Sequence, residues 1–417
     1  MRLRILDGIK KDKFVHKLEQ RGAASDLAEV EPAVRRIVNH VRRNGDRALR
    51  VYAAKWDGLA KGDPVLVPEV NLQEAWETIS PELRDAITQV ASNIRRYCEW
   101  QKPEEWRREI HPGVCVGQFV RPLDSVGCYV PGGRYPLPST LLMTVIPAQV
   151  AGVPKIRVVS PRPAPATLAA ASFLGVREFY RVGGAQAVAA LAYGTESIPR
   201  VSKIVGPGNR YVTTAKKLVA FDCAIEFLAG PTEAIFISED GDPGLLGCDM
   251  LAQAEHDPDA LCIFITCSPD LAKAVQKEAA RRARDNPIAA ESLSRGAILL
   301  VPSLEQAVGI ANRIAPEHLT LPANLAPAVR NAGAIFLDEF TPQSAGDYIS
   351  GPNHVLPTGT MARVRGGLSV LDYVRIISCQ EISRKGLRRI APPAIVLAEA
   401  EGLRAHAESL RVRYARA

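Results

Sequence analysis

From about Asp124 the chain alternates short apolar runs with longer helical stretches, and glycine and proline sit at the junctions Pro131-Gly132-Gly133, Gly183-Gly184 and Gly206-Pro207-Gly208. Ser125 to Val130, Lys155 to Val159 and Lys203 to Val205 read as strands, with Thr140 to Val150 and Ala164 to Leu174 as helical stretches between them. This alternation admits few folds, because parallel strands need long crossover connections and helices supply them while covering the sheet. A second set begins near Ala234, with strand-like Ala234 to Ser238, Leu261 to Thr266, Gly296 to Val301 and Ala334 to Leu337. A chain of 417 residues exceeds what one core organises, so the two sets are read as two Rossmann-like open-sheet α/β domains.

The first hundred residues carry helical periodicity instead. Ser80-Pro81 supplies an N-cap and a first-turn proline, and Leu83, Ile87, Val90, Ile94 and Tyr97 recur on one face. Such stripes need a partner surface. Residues 1–115 are therefore predicted to form an N-terminal helical arm packed on the second α/β domain, with the domains at 116–228 and 229–365 and a C-terminal tail at 366–417. The 52 basic and 45 acidic residues are mixed along the chain, which argues against a nucleic-acid groove. No stretch approaches the roughly 18 apolar residues of a membrane-spanning helix. Eight cysteines without a CxxC pair, and no apolar core after Arg2 and Arg4, predict reduced thiols in the cytoplasm.

Seven histidines are available for chemistry, and their neighbours separate them. His16, His40 and His111 lie in the arm and read as surface or packing residues, whereas His256, His318, His354 and His406 sit beside carboxylates or amides. Gln253 and His256 are three apart at the last turn of a helix predicted over Pro243 to His256, so both project from one face. They read either as two ligands of one cation or as a capped, polar helix end. Glu317-His318 follows Pro316, where two diverging side chains suit separate proton transfers or an exposed turn. Asp347 lies in a turn-rich segment after the Ala334 to Leu337 strand, a usual place for sites in open sheets, as a hard ligand or a local Asx-turn. The nearest dinucleotide fingerprint, Gly206-Pro207-Gly208-Asn209-Arg210-Tyr211, has tyrosine where the third glycine belongs.

Seven blocks, CYVPGG (128 to 133), GGAQAVAALAYGT (183 to 195), GPGNRYV (206 to 212), AGPTEA (229 to 234), LAQAEHD (251 to 257), APEHL (315 to 319) and GDYISGPNHVLPTG (346 to 359), together resemble histidinol dehydrogenase in that family's order. The resemblance runs from about residue 20 to GLRAH (402 to 406). It implies zinc held by Gln253, His256 and Asp347, with His406 supplied by the partner subunit of a homodimer, so that the tail crosses between subunits. It also implies Glu401 on the substrate across that interface, Thr232 beside the substrate, and NAD contacts at Tyr129, Gln186 and Asn209. The family's Glu-His pair falls on Glu317 and His318: the histidine acts as base and the glutamate activates water as L-histidinol becomes L-histidine.

Two departures stand out. Thr232 replaces the serine of AGPSE, and Ala224-Ile225-Glu226-Phe227 replaces a GIDM-like lead-in, which leaves room for another polar alcohol as substrate. A zinc hydrolase using Glu317 is the reading from a different class. His354 is expected to support the Asp347 loop by hydrogen bonding.

Overall fold

The computed structural model describes residues 3–21, 27–132 and 135–417, so Gly133 of the Pro131-Gly132-Gly133 junction lies outside the described residues. Strand β1 (Arg4–Leu6) opens the chain, and β2 (Trp106–His111) and β3 (Val114–Pro122) follow the helices of the arm. The first parallel sheet holds β4 (Val126–Tyr129), β5 (Ile156–Val159), β6 (Glu178–Tyr180), β7 (Lys203–Val205) and β8 (Ala224–Ile225), in the order β6-β5-β4-β7-β8. The second holds β9 (Glu233–Ile237), β10 (Leu261–Thr266), β11 (Ala297–Leu300), β12 (His318–Leu321) and β13 (Ala334–Leu337). Its order, β1-β11-β10-β9-β12-β13, repeats the first with β1 added at one edge, and all its strands run parallel. Each sheet is wound outward in both directions from its first strand, which places a topological switch point between β4 and β7 in one and between β9 and β12 in the other.

These strands form because their residues are apolar on both faces, and helices cover both. Cys128, Val158 and Phe179 are buried with Leu141, Met143 and Ile146 of helix Pro138–Ala151. Phe236, Cys262 and Phe264 are buried with Met250 of helix Pro243–Ala254, while Ile235, Ile263 and Leu319 meet helix Leu304–Ile314 on the opposite face. Asp242 and Ser303 cap these last two helices through Gly244 N–H and Gln306 N–H.

The arm corrects one expectation. Among the described residues of the arm, β1 and helix Gly8–Glu19 dock on the second sheet, with Val15 buried beside Ile235 and Leu319. The longer helices cover the first: Val34, Val41 and Leu49 of Glu31–Tyr52 pack against Leu191 and Val212, and Leu72 and Ile94 join the Met143 cluster. The cause is shape, since helix Gly184–Tyr193 is rich in buried alanines and its small side chains admit a valine-rich neighbour closely.

The tail includes β14 (Val374–Ile382), which pairs antiparallel with β3 to complete a sheet in the order β14-β3-β2. Helices Arg384–Ala400 and Arg404–Tyr414 follow and pack on each other, leaving Val396, Leu397 and Tyr414 exposed.

Candidate active site

Gln253, His256, Glu317, His318, Asp347 and His354 gather where the carboxyl edge of the first sheet meets the amino edge of the second. Thr232 immediately precedes β9 and Glu233 begins it, His318 begins β12, and Gln253 lies in the last turn of the helix returning from β9. This corrects the expectation that Asp347 occupies a loop at the carboxyl ends of the strands. Asp347 lies in the short helix Gln343–Tyr348 after β13, which carries it back to the amino edge beside His318. The opposite wall comes from the first unit, whose Thr140 opens the helix after β4 and reaches His354.

Helix Leu304–Ile314 stops at Ala315, a non-glycine residue in the left-handed region at φ 53°, and Pro316 follows. Such a conformation costs on the order of 1 kcal/mol and persists only where surrounding structure enforces it. It turns the chain so that Glu317 precedes the strand instead of lying in it. Strand alternation therefore does not separate the pair: Glu317 Oε2 lies 3.6 Å from His318 Nδ1, so the predicted divergence of the two side chains is also corrected. The Glu317 carboxylate accepts from Glu233 N–H at 3.2 Å.

His318 is only 3% exposed. Its Nε2 lies 3.5 Å from Asp347 Oδ1 and its ring stacks on Phe336 at 5.8 Å between centroids. Burial opposes charging the imidazole, but Glu317 and Asp347 outweigh it and hold the ring up at about 10. Burial pushes Asp347 up in turn, and the contact with His318 more than offsets this, keeping the carboxyl below its ordinary range. Gly346 lets this helix approach, since a Cβ there would lie 2.5 Å from the Phe336 ring.

Gln253 is 1% exposed, and its Nε2 donates to Asp347 Oδ2 at 3.3 Å. That bond orients the amide and leaves Gln253 Oε1 buried without a partner among the described residues. His256 lies two residues past the helix, which ends at Ala254 and not at His256 as predicted; it is exposed and near enough to help depress Asp347. An orphaned amide oxygen, a carboxylate and an imidazole are donors that suit a zinc ion. Among the described residues no three His, Cys, Asp or Glu side chains form a metal-holding group. Of the expected zinc ligands, this chain brings Gln253, His256 and Asp347 to the cleft. His406 and Glu401 are exposed in the tail, and neither side chain bonds to the cleft residues.

His354 is half-buried, and the desolvation of its ring pushes the imidazole below the usual value. Its Nδ1 lies 2.7 Å from the Asp347 carbonyl, which can only accept, so Nδ1 carries the proton and Nε2 accepts from the Thr140 hydroxyl at 3.1 Å. His354 thus ties the Asp347 helix to the first unit through the backbone.

Tyr129, Gln186 and Asn209 surround the carboxyl edge of the first sheet. The Tyr129 hydroxyl accepts from Gly184 N–H at 3.0 Å, and Asn209 Oδ1 caps helix Arg210–Val219 through Tyr211 and Val212 N–H. Gln186 donates to Asp57 at 3.0 Å, and Asp57 also accepts from Gly183 N–H. Around them, Gly132 and Gly183 press on Pro161, where a Cβ would lie 1.8 Å and 2.4 Å away. Backbone this close to the switch point suits a dinucleotide, and the Asn209 amide nitrogen donates to no group among the described residues.

Two residues were missed. Asp57, in an arm read only for helices, anchors Gln186. Glu233 pairs with Arg21 at 2.6 Å and accepts from Gly359 N–H at 3.1 Å, although burial pushes its carboxyl up. A lone glutamate at the head of the apolar run Glu233–Ile237 was the available signal, since a buried charge needs partners.

Residues 20–414 match the family model described as histidinol dehydrogenase. The chain is similar to the histidinol dehydrogenase of Methanothermobacter thermautotrophicus, at 46% identity over 94% of this chain and 95% of that one. It is similar also to that of Methanosarcina barkeri, at 44% identity over 96% and 95%. The crystal structure of histidinol dehydrogenase from Elizabethkingia anophelis superposes with a TM-score of 0.93 at 33% identity, covering 99% of this chain and 98% of that one.

Proposed function

Because the chain belongs to the histidinol dehydrogenase family and is an oxidoreductase enzyme, we propose that it oxidises L-histidinol to L-histidine through L-histidinal, the last steps of histidine biosynthesis, in the cytoplasm. The observation that carries this reading is the buried His318, set between Glu317 and Asp347 at 3.6 and 3.5 Å, beside the orphaned Gln253 oxygen. When bound, zinc supplies a Lewis acid that holds the substrate's imidazole and amine, and NAD supplies the hydride acceptor at each oxidation.

The chain's own residues do the rest. With Asp347 taken up by a bound zinc ion, the ring would lose one of the two carboxylates that hold it charged, and the neutral His318 takes the hydroxyl proton as the alcohol is oxidised. Glu317, in ion-pair contact with the same ring at 3.6 Å, removes a proton from water so that the aldehyde is hydrated, and His318 then deprotonates the gem-diol. Protons pass to solvent between steps, and the pair's burial restricts bulk water at the reacting carbon. Gln253, His256 and Asp347 hold the zinc ion, one per subunit, with His406 reaching across a homodimer. Thr232, Glu401 and the zinc-holding residues line the substrate, and Tyr129, Gln186 and Asn209 hold NAD.

Incubation of the purified protein with zinc, NAD and L-histidinol, followed by NADH absorbance, tests the reading. NADH formed from L-histidinol supports it. NADH formed only from another polar alcohol moves the substrate, and bond hydrolysis without NAD overturns the dehydrogenase mechanism.

A further inference from the structure

Beneath the loop that follows β7, away from Glu317 and His318, lies a buried ion pair the chemistry above does not use. Lys216 Nζ, on helix Arg210–Val219, lies 2.6 Å from Glu226 Oε1, with side-chain exposures of 3% and 1%. The two side chains also take both polar groups of one residue: Gly206 N–H donates to Glu226 Oε1 at 2.8 Å, and Lys216 Nζ donates to the Gly206 carbonyl at 2.9 Å. Gly206 adopts φ 110°, and a Cβ there would fall 2.1 Å from the Tyr129 carbonyl oxygen. A second brace comes from Arg365, which donates to the Glu226 carbonyl at 2.6 Å and lies over the Phe227 ring at 4.5 Å.

Stability does not account for this arrangement, because a buried ion pair loses hydration that apolar side chains of similar size would not need. Its distinctive product is a fixed backbone. Gly206 is pressed on Tyr129 and stands three residues before Asn209, so whatever holds Gly206 sets the spacing of those two residues across the β4–β7 switch point.

We propose that Lys216 and Glu226 are positioning residues that clamp Gly206 and thereby hold the Gly206–Asn209 loop in register with Tyr129 for dinucleotide binding. The proposal rests on the reading of that edge as the NAD site. The clamp acts through the loop and touches no reacting atom.

The deciding variant is the double change Lys216→Met and Glu226→Leu, which removes the clamp without stranding a charge. The dissociation constant for NAD, by calorimetry on full-length protein without substrate, should rise about tenfold or more, the scale expected when a binding group is displaced by a fraction of an ångström to 1 Å. The KM for NAD should rise in step, while KM for L-histidinol and zinc content stay at wild-type values. A folded double variant with wild-type NAD affinity overturns the clamp and leaves the NAD reading standing. An equal rise in both KM values, the mark of general damage, also overturns it. If the wild type takes up no NAD, both readings fall. Should the double variant not fold, Glu226→Asp decides: it keeps the charge but shortens the reach, so intermediate weakening of NAD binding supports the clamp and wild-type affinity overturns it.

Discussion

Glu317 and His318 can divide the proton chemistry because neighbours of opposite kind fix them. Glu233 N–H and the ring edge hold Glu317, while His318 stands between two carboxylates and against Phe336. Glu317→Gln should retain zinc yet slow the aldehyde oxidation more than the alcohol oxidation, by about 100-fold on the general-base scale. Separate assays starting from L-histidinol and from L-histidinal check this, and equal loss at both steps contradicts the assigned role. Gln253→Ala should lower zinc content, since the amide oxygen left partnerless among the described residues beside the Asp347 carboxylate disappears; elemental analysis after dialysis reads it. At this scale residue types were legible and angles were not. The convergence of Glu317 on His318 depends on the left-handed Ala315, a conformation that alanine itself does not announce.

Element by element, starts were more legible than ends. The start of the Pro243 helix falls where the sequence places it, and Asp242 and Ser303 show why starts are readable: each caps its helix by local chemistry. Helix Pro243–Ala254 stopped short of His256, and β6 and β8, of three and two residues, were too short to show any periodicity. The same helix carries Asp249, whose carboxyl burial pushes up to about 6 from 3.8. A carboxyl raised by folding weakens the fold at pH values above both figures, and the effect fades as pH falls from 6 towards 3.8. Asp249→Asn should therefore stabilise the protein near neutral pH by roughly 1–2 kcal/mol, allowing for solvent screening, with the gain shrinking in acid. Melting curves at pH values above 6 and near 4 check the sign. Gly346→Ala should drive a methyl into Phe336 and cost about 1–3 kcal/mol, with a loss of activity that exceeds any loss of zinc because Phe336 sets the His318 ring.

On the scale of the whole molecule, two parallel sheets were legible from βα alternation, but their mutual placement was not. The contacts that build the cleft join Arg21 to Glu233 across 212 residues and Thr140 to His354 across 214, beyond the reach of any local pattern. The arm was misplaced for the same reason: an apolar stripe says that a partner exists and not which one. His406 and Glu401 stand exposed at the end of the tail, and in the proposed homodimer they complete the partner's cleft. Mixing an inactive His406→Asn variant with an inactive His256→Ala variant should restore part of the activity, because one hybrid cleft regains every ligand. No recovery in verified heterodimers would mean that each tail serves its own cleft. The central claim is that one cleft performs both oxidations, and its most direct test is stoichiometric. With excess NAD, zinc and limiting L-histidinol, two NADH should form for each L-histidine released; one NADH with accumulating L-histidinal, or none at all, would contradict the account.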